Sequence, residues 1–396
     1  MKAKSSLDKG IACLLAVGMV LTLMWVSPQV VSAADSYKIG AVFSVTGRAS
    51  FLGDPEKKTV VMLQEKVNEQ GGINGHPVEV VIYDDEGDST KCALAVRKLI
   101  TRDKVCAIIG PSLSGLSLAV LPEAQKHKVP MVSCAASYKI VTKDPETGEQ
   151  WKWVFKTPQS DSMAVESIYT HMKRHGLSKI AIMSVTSGFG ASGRSELLRL
   201  APEYGMDIVA DEKYGPKDTD MTAQLTKIKG KSPEAIVNWS IGPTQVVVVR
   251  NWKELGMTGV TFYQSHGFGS RKNIELAAGA AEGVYCPLGA CNIPDVLPAD
   301  HPQKEVTTAY KKAYMAKYGE PVSSFGGHAW DAFSLVVNAL EKVGCDKEKI
   351  RDHLEGTTGF VGQHGVFNFS PKDHNGLDKD AFQMVVVKDG DWALAD

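Results

Sequence analysis

From Tyr37 to Lys388 the sequence keeps one rhythm, in which short apolar runs alternate with longer amphipathic stretches, and that rhythm restarts after Trp151. The first pass gives strands over 38–44, 78–83, 105–109 and 130–134, with helices over 55–70, over 89–101 and ending at Leu121; Asp88 is a natural N-cap for the second of these. The second pass gives strands over 179–185, 207–212, 235–239 and 261–264, with helices over 162–175, 193–204, 221–229 and 243–256. Such alternation predicts parallel strands joined by crossover helices, an α/β fold. The restart predicts two Rossmann-like lobes of similar architecture. Helices over 302–318, 324–343 and 346–354 exceed what the second lobe needs. A last strand pair, 365–369 and 381–388, is expected to close on the polar turn 372–376. Periodicity does not assign these late elements to a lobe.

Length agrees, since 396 residues make two to three domains at roughly 150 residues each. A net charge of −1 lacks the basic excess of a nucleic-acid binder. The first residues stand apart. Lys2, Lys4 and Lys9 precede an apolar run from Ile11 to Val26, Pro28 breaks it, and Val31-Ser32-Ala33 supplies small residues for cleavage. Residues 1–33 are therefore expected to be a removable export signal, too short in its apolar run for a membrane span of ~20 residues. Cys13 opens the run instead of following it, which argues against a lipoprotein. Export leaves six cysteines in an oxidising compartment, where disulfides persist. Two pairings compete with free buried thiols: Cys286 with Cys291 across a short loop, and Cys92 with Cys106 across a strand–helix layer.

The segment Gly188-Phe189-Gly190-Ala191-Ser192-Gly193, with Asp211 ending the next strand, has the spacing of a dinucleotide-binding turn. Thr186-Ser187 intrude where that turn is tight, so a plain Gly-rich strand-to-helix connection is the simpler reading, and no cofactor is expected. His171 and His175 share a helix face without the intervening Glu of a metalloprotease, and read as complements to a helix dipole. Asp84, Glu86 and Asp88 imitate a calcium loop that nothing closes. No metal site and no G-x-S-x-G nucleophile elbow appears.

Two strand ends are more informative. Gly110-Pro111-Ser112-Leu113-Ser114-Gly115 follows a strand and opens a helix, and Cys134-Ala135-Ala136-Ser137 does the same one unit later. Open α/β sheets bind ligands beyond their strands' carboxyl ends, and helix N-termini present free N–H groups to anions. Ser114 and Ser137 add hydroxyls there. The pair is a candidate carboxylate clamp, with ordinary N-capping as the competing reading.

Taken together with Ile39-Gly40-Ala41-Val42, Thr46-Gly47, Leu52-Gly53-Asp54, Asn68 through Gly71-Gly72-Ile73-Asn74-Gly75, Tyr83-Asp84-Asp85, Ile109-Gly110, Phe189-Gly190 and Trp330-Asp331-Ala332, these residues make nearly the whole chain beyond residue 36 resemble the periplasmic solute-binding proteins of branched-chain amino acid (Leu/Ile/Val) ABC importers. The resemblance implies a type I fold with three crossings between lobes. It puts 36–156 plus 288–362 in the first lobe and 157–287 plus 363–396 in the second. It also implies a periplasmic, monomeric, non-catalytic protein that closes on a small carboxylate ligand and delivers it to a membrane permease. An exported sensor signalling to a receptor is the alternative, and a nucleotide-cofactor enzyme using 188–193 a weaker one.

The resemblance carries the ligand's carboxylate onto Ser114, Ala135 through its backbone, and Ser137, with Ser112 and Ala136 in the same loops. Leu52, Phe189 and Ile241 fall where the rest of the ligand is held. The acidic position that usually holds an ammonium falls on His266, a poor counter-ion for a cation. That departure shifts the expected ligand toward an apolar or aromatic carboxylate and away from a zwitterion.

Overall fold

The computed structural model describes residues 35–395. The expected export signal, residues 1–33, lies outside the described residues. Among those described, no helix is long and apolar enough to cross a membrane.

The first lobe is a five-stranded parallel sheet built from β1 (Tyr37–Phe43), β2 (Val78–Asp84), β3 (Ala107–Ile109), β4 (Met131–Ser133) and β5 (Val154–Lys156), in the order β2-β1-β3-β4-β5. In register, Ile39 of β1 lies opposite Val80 on one side and Ala107 on the other. The second lobe repeats that order. Its strands are β6 (Lys179–Val185), β7 (Asp207–Tyr214), β8 (Ala235–Trp239), β9 (Thr261–Gln264) and β10 (Tyr285–Leu288), running β7-β6-β8-β9-β10. Antiparallel β11 (Gln383–Lys388) and β12 (Asp391–Leu394) extend its edge. The structure is thus two doubly wound α/β lobes, each with its topological switch between first and third strands, where ligands collect.

Helices cover both faces: α1 (Ser50–Glu69), α2 (Ser89–Lys98) and α3 (Ser114–His127) in the first lobe; α4 (Asp161–Arg174), α5 (Gly188–Tyr204), α6 (Thr222–Lys229), α7 (Thr244–Glu254) and α8 (Arg271–Ala277) in the second; then α9 (Lys304–Tyr318), α10 (Ser324–Val343) and α11 (Lys347–Glu355). The late helices return to the first lobe. In α10, Ala329, Ala332, Phe333, Val336 and Leu340 recur at helical spacing and share a core with Ile39, Val60 and Ile109. Asp88 caps α2, accepting from Thr90 and Lys91 N–H at 2.9 Å each.

Two helices begin earlier than their sequences suggest. α1 starts at Ser50, not Pro55, so Leu52 lies in its first turn. Gly53 makes this possible, because a Cβ there would strike the Ser44 carbonyl. α5 starts at Gly188, not Gly193, with Ser187 capping it through Gly190 N–H at 3.1 Å. A Cβ on Gly190 would overlap the Val185 carbonyl, and one on Gly193 the Trp239 indole. Gly190 and Gly193 of the dinucleotide-like segment are therefore taken up by packing a helix onto its own sheet, while Gly188 abuts the Gly115 backbone of the first lobe.

The chain crosses between lobes at Lys156–Asp161, within 289–303, and near Lys379–Phe382. The third crossing comes later than the expected 362/363 boundary, because Phe367, Phe369, Leu377 and Ala381 pack in the first lobe's core. The expected strand pair 365–369 with 381–388 does not form. Val366–Phe367 instead pairs with Phe360–Val361 in the first lobe, whereas β11 joins the second. Gln159 ties the first crossing to the third, its Nε2 donating to the carbonyls of His364 (3.1 Å) and Ala381 (2.9 Å).

Neither expected disulfide forms. Cys106 pairs with Cys345, their Cα atoms 5.2 Å apart, and Cys92, Cys134, Cys286 and Cys291 are buried free thiols. Cys92 belongs to the core on one face of the first sheet and Cys106 to the core on the other, so the sheet separates them. Cys286 sits in the second lobe's core, whereas Cys291 packs against Tyr310 and Tyr314.

Candidate ligand-binding site

The two sheets turn their carboxyl ends toward one cleft. At the end of β3 the chain passes through Gly110–Leu113 into α3, and the N-cap position is held by Leu113, whose side chain makes no capping bond. Ser114 is the first residue of the helix and does not cap it, whereas Ser137 holds the N-cap position of a short 3-10 turn, Tyr138–Ile140, without a side-chain capping bond. The uncapped N–H groups at the start of α3 keep the partial positive charge of a helix N-terminus facing the cleft.

Ser137, at the end of the β4 loop, donates its N–H to Ser114 Oγ at 3.3 Å. Its hydroxyl pairs with Ser192 of α5 across the cleft at 2.8 Å, and Ser192 donates to Asp161. A chain of hydroxyls thus links the clamp on the first lobe to the opposite lobe and to the first crossing. Ala135 and Ala136 line the same pocket, but the Ala135 N–H is engaged by Ser133 Oγ at 3.1 Å and so is not free for the carboxylate that the sequence resemblance assigned to its backbone. Ser112 also borders the pocket. Its hydroxyl is fully committed, accepting from Ser44 N–H at 3.1 Å and donating to buried Glu56. Ser112 therefore shapes the loop and offers no hydroxyl hydrogen to a ligand.

Across the cleft, Phe189 projects from the first turn of α5, Ile241 follows β8, and His266 follows β9, while Leu52 comes from α1. All four border one cavity of about 30 Å³, room for roughly two waters, so the lobes are closed on little space. Leu113, Ser114, Phe189 and Ile241 also border a larger opening of about 410 Å³ at the cleft mouth, flanked by Arg48 and Glu86 on one lobe and Lys217 on the other.

His266 is 7% exposed and ringed by Phe189, Trp239 and Phe382, with ring centroids 5.2, 5.7 and 5.4 Å away. Burial, reinforced by the Lys156 charge, pushes its imidazole down to about 3, so the ring is neutral at physiological pH. Sequence reasoning missed Phe325 and His328, which α10 places on the same pocket one turn apart. The signal was available, because both lie within the two turns before Trp330-Asp331-Ala332 on the same amphipathic helix. No lining residue of this pocket is an Asp or Glu.

Beneath the pocket, Lys156 is fully buried and donates to the Pro158 carbonyl at 2.6 Å. Burial lowers the Lys156 ammonium and raises the Asp161 carboxyl. The remaining sequence candidates lie elsewhere. His171 is buried and bonded to the Tyr263 hydroxyl at 2.8 Å, and burial pushes it down to about 4. It is neutral, so it does not complement the α4 dipole. Asp84 accepts from Val45 N–H at 2.9 Å and from the Thr46 hydroxyl at 2.6 Å. Among the described residues, no group of three or more His, Cys, Asp or Glu could hold a metal.

The fold agrees with known proteins. The curated leucine-, isoleucine-, valine-, threonine- and alanine-binding protein of Pseudomonas aeruginosa is 26% identical, covering 86% of this chain and 87% of its own. An extracellular ligand-binding receptor of Rhodopseudomonas palustris HaA2 superimposes with TM-score 0.83 at 30% identity, over 91% of this chain and 99% of that one. A branched-chain amino acid transporter substrate-binding protein of Streptococcus pneumoniae, solved with isoleucine, gives 0.76 at 27% identity, over 90% and 98%. The family model described as periplasmic binding protein matches residues 36–391, nearly the whole described chain, and the chain belongs to that family.

Proposed function

We propose that this protein is an exported, periplasmic solute-capture component of an ABC importer, whose ligand is a small carboxylate with an apolar or aromatic body. Capture is non-catalytic. The ligand enters between open lobes, both lobes contact it, and closure presents the permease with a distinct shape. The α3 N-terminus with the Ser114 hydroxyl supplies the carboxylate clamp, Ser137 positions Ser114 by donating its N–H to Ser114 Oγ, and Leu52, Phe189 and Ile241 supply the apolar wall. One observation carries the ligand preference: no acidic side chain lines the inner cavity, Glu86 standing only at the mouth, and neutral His266 borders the same cavity as the clamp. An ammonium buried there would lack a counter-ion, at a cost of several kcal/mol. The relatives named for amino acids support the transport class; the pocket's charge distribution supports a ligand without an ammonium.

A thermal-shift screen of leucine, isoleucine and valine against aliphatic and aromatic monocarboxylates tests this. The acids are expected to raise the melting temperature, and stabilisation by the amino acids alone would sink the preference. Ser114→Ala is expected to weaken the best acid by about 1–3 kcal/mol, the loss of a hydrogen bond to a charged group. An unchanged dissociation constant in calorimetry would remove Ser114 from the clamp.

A further inference from the structure

The pocket contains hydrogen-bonding capacity that the protein itself leaves unused. Neither ring nitrogen of His266 has a partner among the described residues, and neither does Nδ1 of His328. Both side chains are more than nine-tenths buried, at 7% and 4% exposure, and both border the cavity that the Ser114 loop borders. Buried polar atoms are ordinarily paired, because leaving one unpaired forfeits its bonds to water. Two such residues facing one cavity point to a group that a ligand brings.

The chemistry of that group follows from what the nitrogens offer. A neutral imidazole presents one N–H donor and one lone-pair acceptor. An ammonium only donates and would stand near buried Lys156, whose charge already disfavours protonation of both histidines. A carboxylate only accepts and leaves the lone-pair nitrogens unmatched. A hydroxyl donates and accepts, so it answers both kinds of vacancy while staying uncharged among Phe189, Trp239 and Phe382. Building on the carboxylate reading above, we infer that the ligand is a hydroxylated monocarboxylic acid whose hydroxyl, opposite its carboxylate, is read by His266 and His328. The placement also gives the hydroxyl a role in closure. His266 follows a strand of the second lobe and His328 lies on a helix packed in the first, so one bridging hydroxyl joins the lobes at the end of the ligand remote from the clamp.

Calorimetry on the wild-type protein with three matched pairs decides the matter: benzoate and 4-hydroxybenzoate, 3-phenylpropanoate and 3-(4-hydroxyphenyl)propanoate, hexanoate and 6-hydroxyhexanoate. In the pair whose length fits, the hydroxy acid is expected to bind about 10- to 100-fold tighter. In His266→Phe and in His328→Leu, each confirmed folded by circular dichroism, that ratio is expected to fall below about threefold. Equal affinities within every pair that binds would overturn the hydroxyl assignment while leaving the carboxylate reading standing. So would discrimination that survives unchanged in both variants. Binding of leucine with none of the six acids would overturn the assignment and the preference for a ligand without an ammonium while leaving the carboxylate clamp standing, and binding of neither leucine nor any acid would overturn the assignment and the carboxylate reading together. Should neither variant fold, the wild-type comparison alone decides.

Discussion

Removing the Cys106–Cys345 disulfide is expected to destabilise the protein by about 2–5 kcal/mol. The two cysteines are 239 residues apart in sequence. A cross-link that closes so long a loop removes much of the unfolded chain's freedom, and the entropic cost of closure grows with loop length. It also joins elements the chain reaches at very different times. Cys106 immediately precedes β3, whereas Cys345 follows α10, which the chain reaches only after traversing the second lobe. The bond therefore fastens a late helix to the sheet it covers. Cys345→Ser, unfolded in urea beside the wild type, should show the loss as an earlier midpoint, with a steeper slope because the unlinked unfolded chain exposes more surface. Equal midpoints would mean that packing of α10 alone holds this edge. Adding reductant to the wild type should reproduce the variant's midpoint, and should leave the variant itself unmoved.

The cysteines also mark where sequence legibility ended. Strands and helices were readable because their periodicity is local: 179–185, 235–239, 261–264 and 324–343 appear where the apolar spacing puts them. Which face of a sheet a neighbouring helix covers is not local, and it is what kept Cys92 from Cys106. The third crossing was misplaced for a similar reason. Phe367 and Phe369 look the same in sequence whichever core receives them. Two helix starts were missed because Gly53, Gly188 and Gly190 lie in the first turns, where glycine's missing side chain allows a close approach that apolar spacing does not reveal. In the site, the loop residues stood out because strand-to-helix turns at a switch point are few. Ser112 looked equivalent to Ser114, and only its bond to Glu56 shows that its hydroxyl is spent. His328 was overlooked because, in a helix that buries most of one face, a histidine reads as core until a cavity appears beside it.

Acid sensitivity offers the largest effect expected of a single pocket residue. Replacing His266 by Phe should make stability fall less steeply as pH drops. In the folded protein burial holds the imidazole down to about 3, whereas an unfolded chain's histidine titrates near 6.5. Between those values the unfolded state binds a proton that the folded state does not, so stability rises with pH by about 1.4 kcal/mol per unit for this one group. Read downward, that contribution is intact above pH 6.5, is lost progressively below it, and is gone near pH 3. The phenylalanine variant has no such proton. Other buried groups act in both proteins, some with the opposite sign: Glu56 and Asp161 are raised by burial and favour the folded state toward acid. His328, His364 and Lys156 face the same region, and besides burial His266 is one of the neighbours that hold the His328 imidazole down, so His328 responds to the replacement as well. The variant-minus-wild-type difference therefore reports His266 together with its coupling to His328, while groups that the replacement leaves untouched cancel. Urea unfolding at pH 7.5, 6.5, 5.5 and 4.5 should give a difference that is level between the first two and then grows in the variant's favour by about 2–3 kcal/mol across the rest. A level difference down to pH 4.5 would mean that His266 takes up its proton in the folded state, and with it the positive charge that the neutral, hydroxyl-reading pocket excludes.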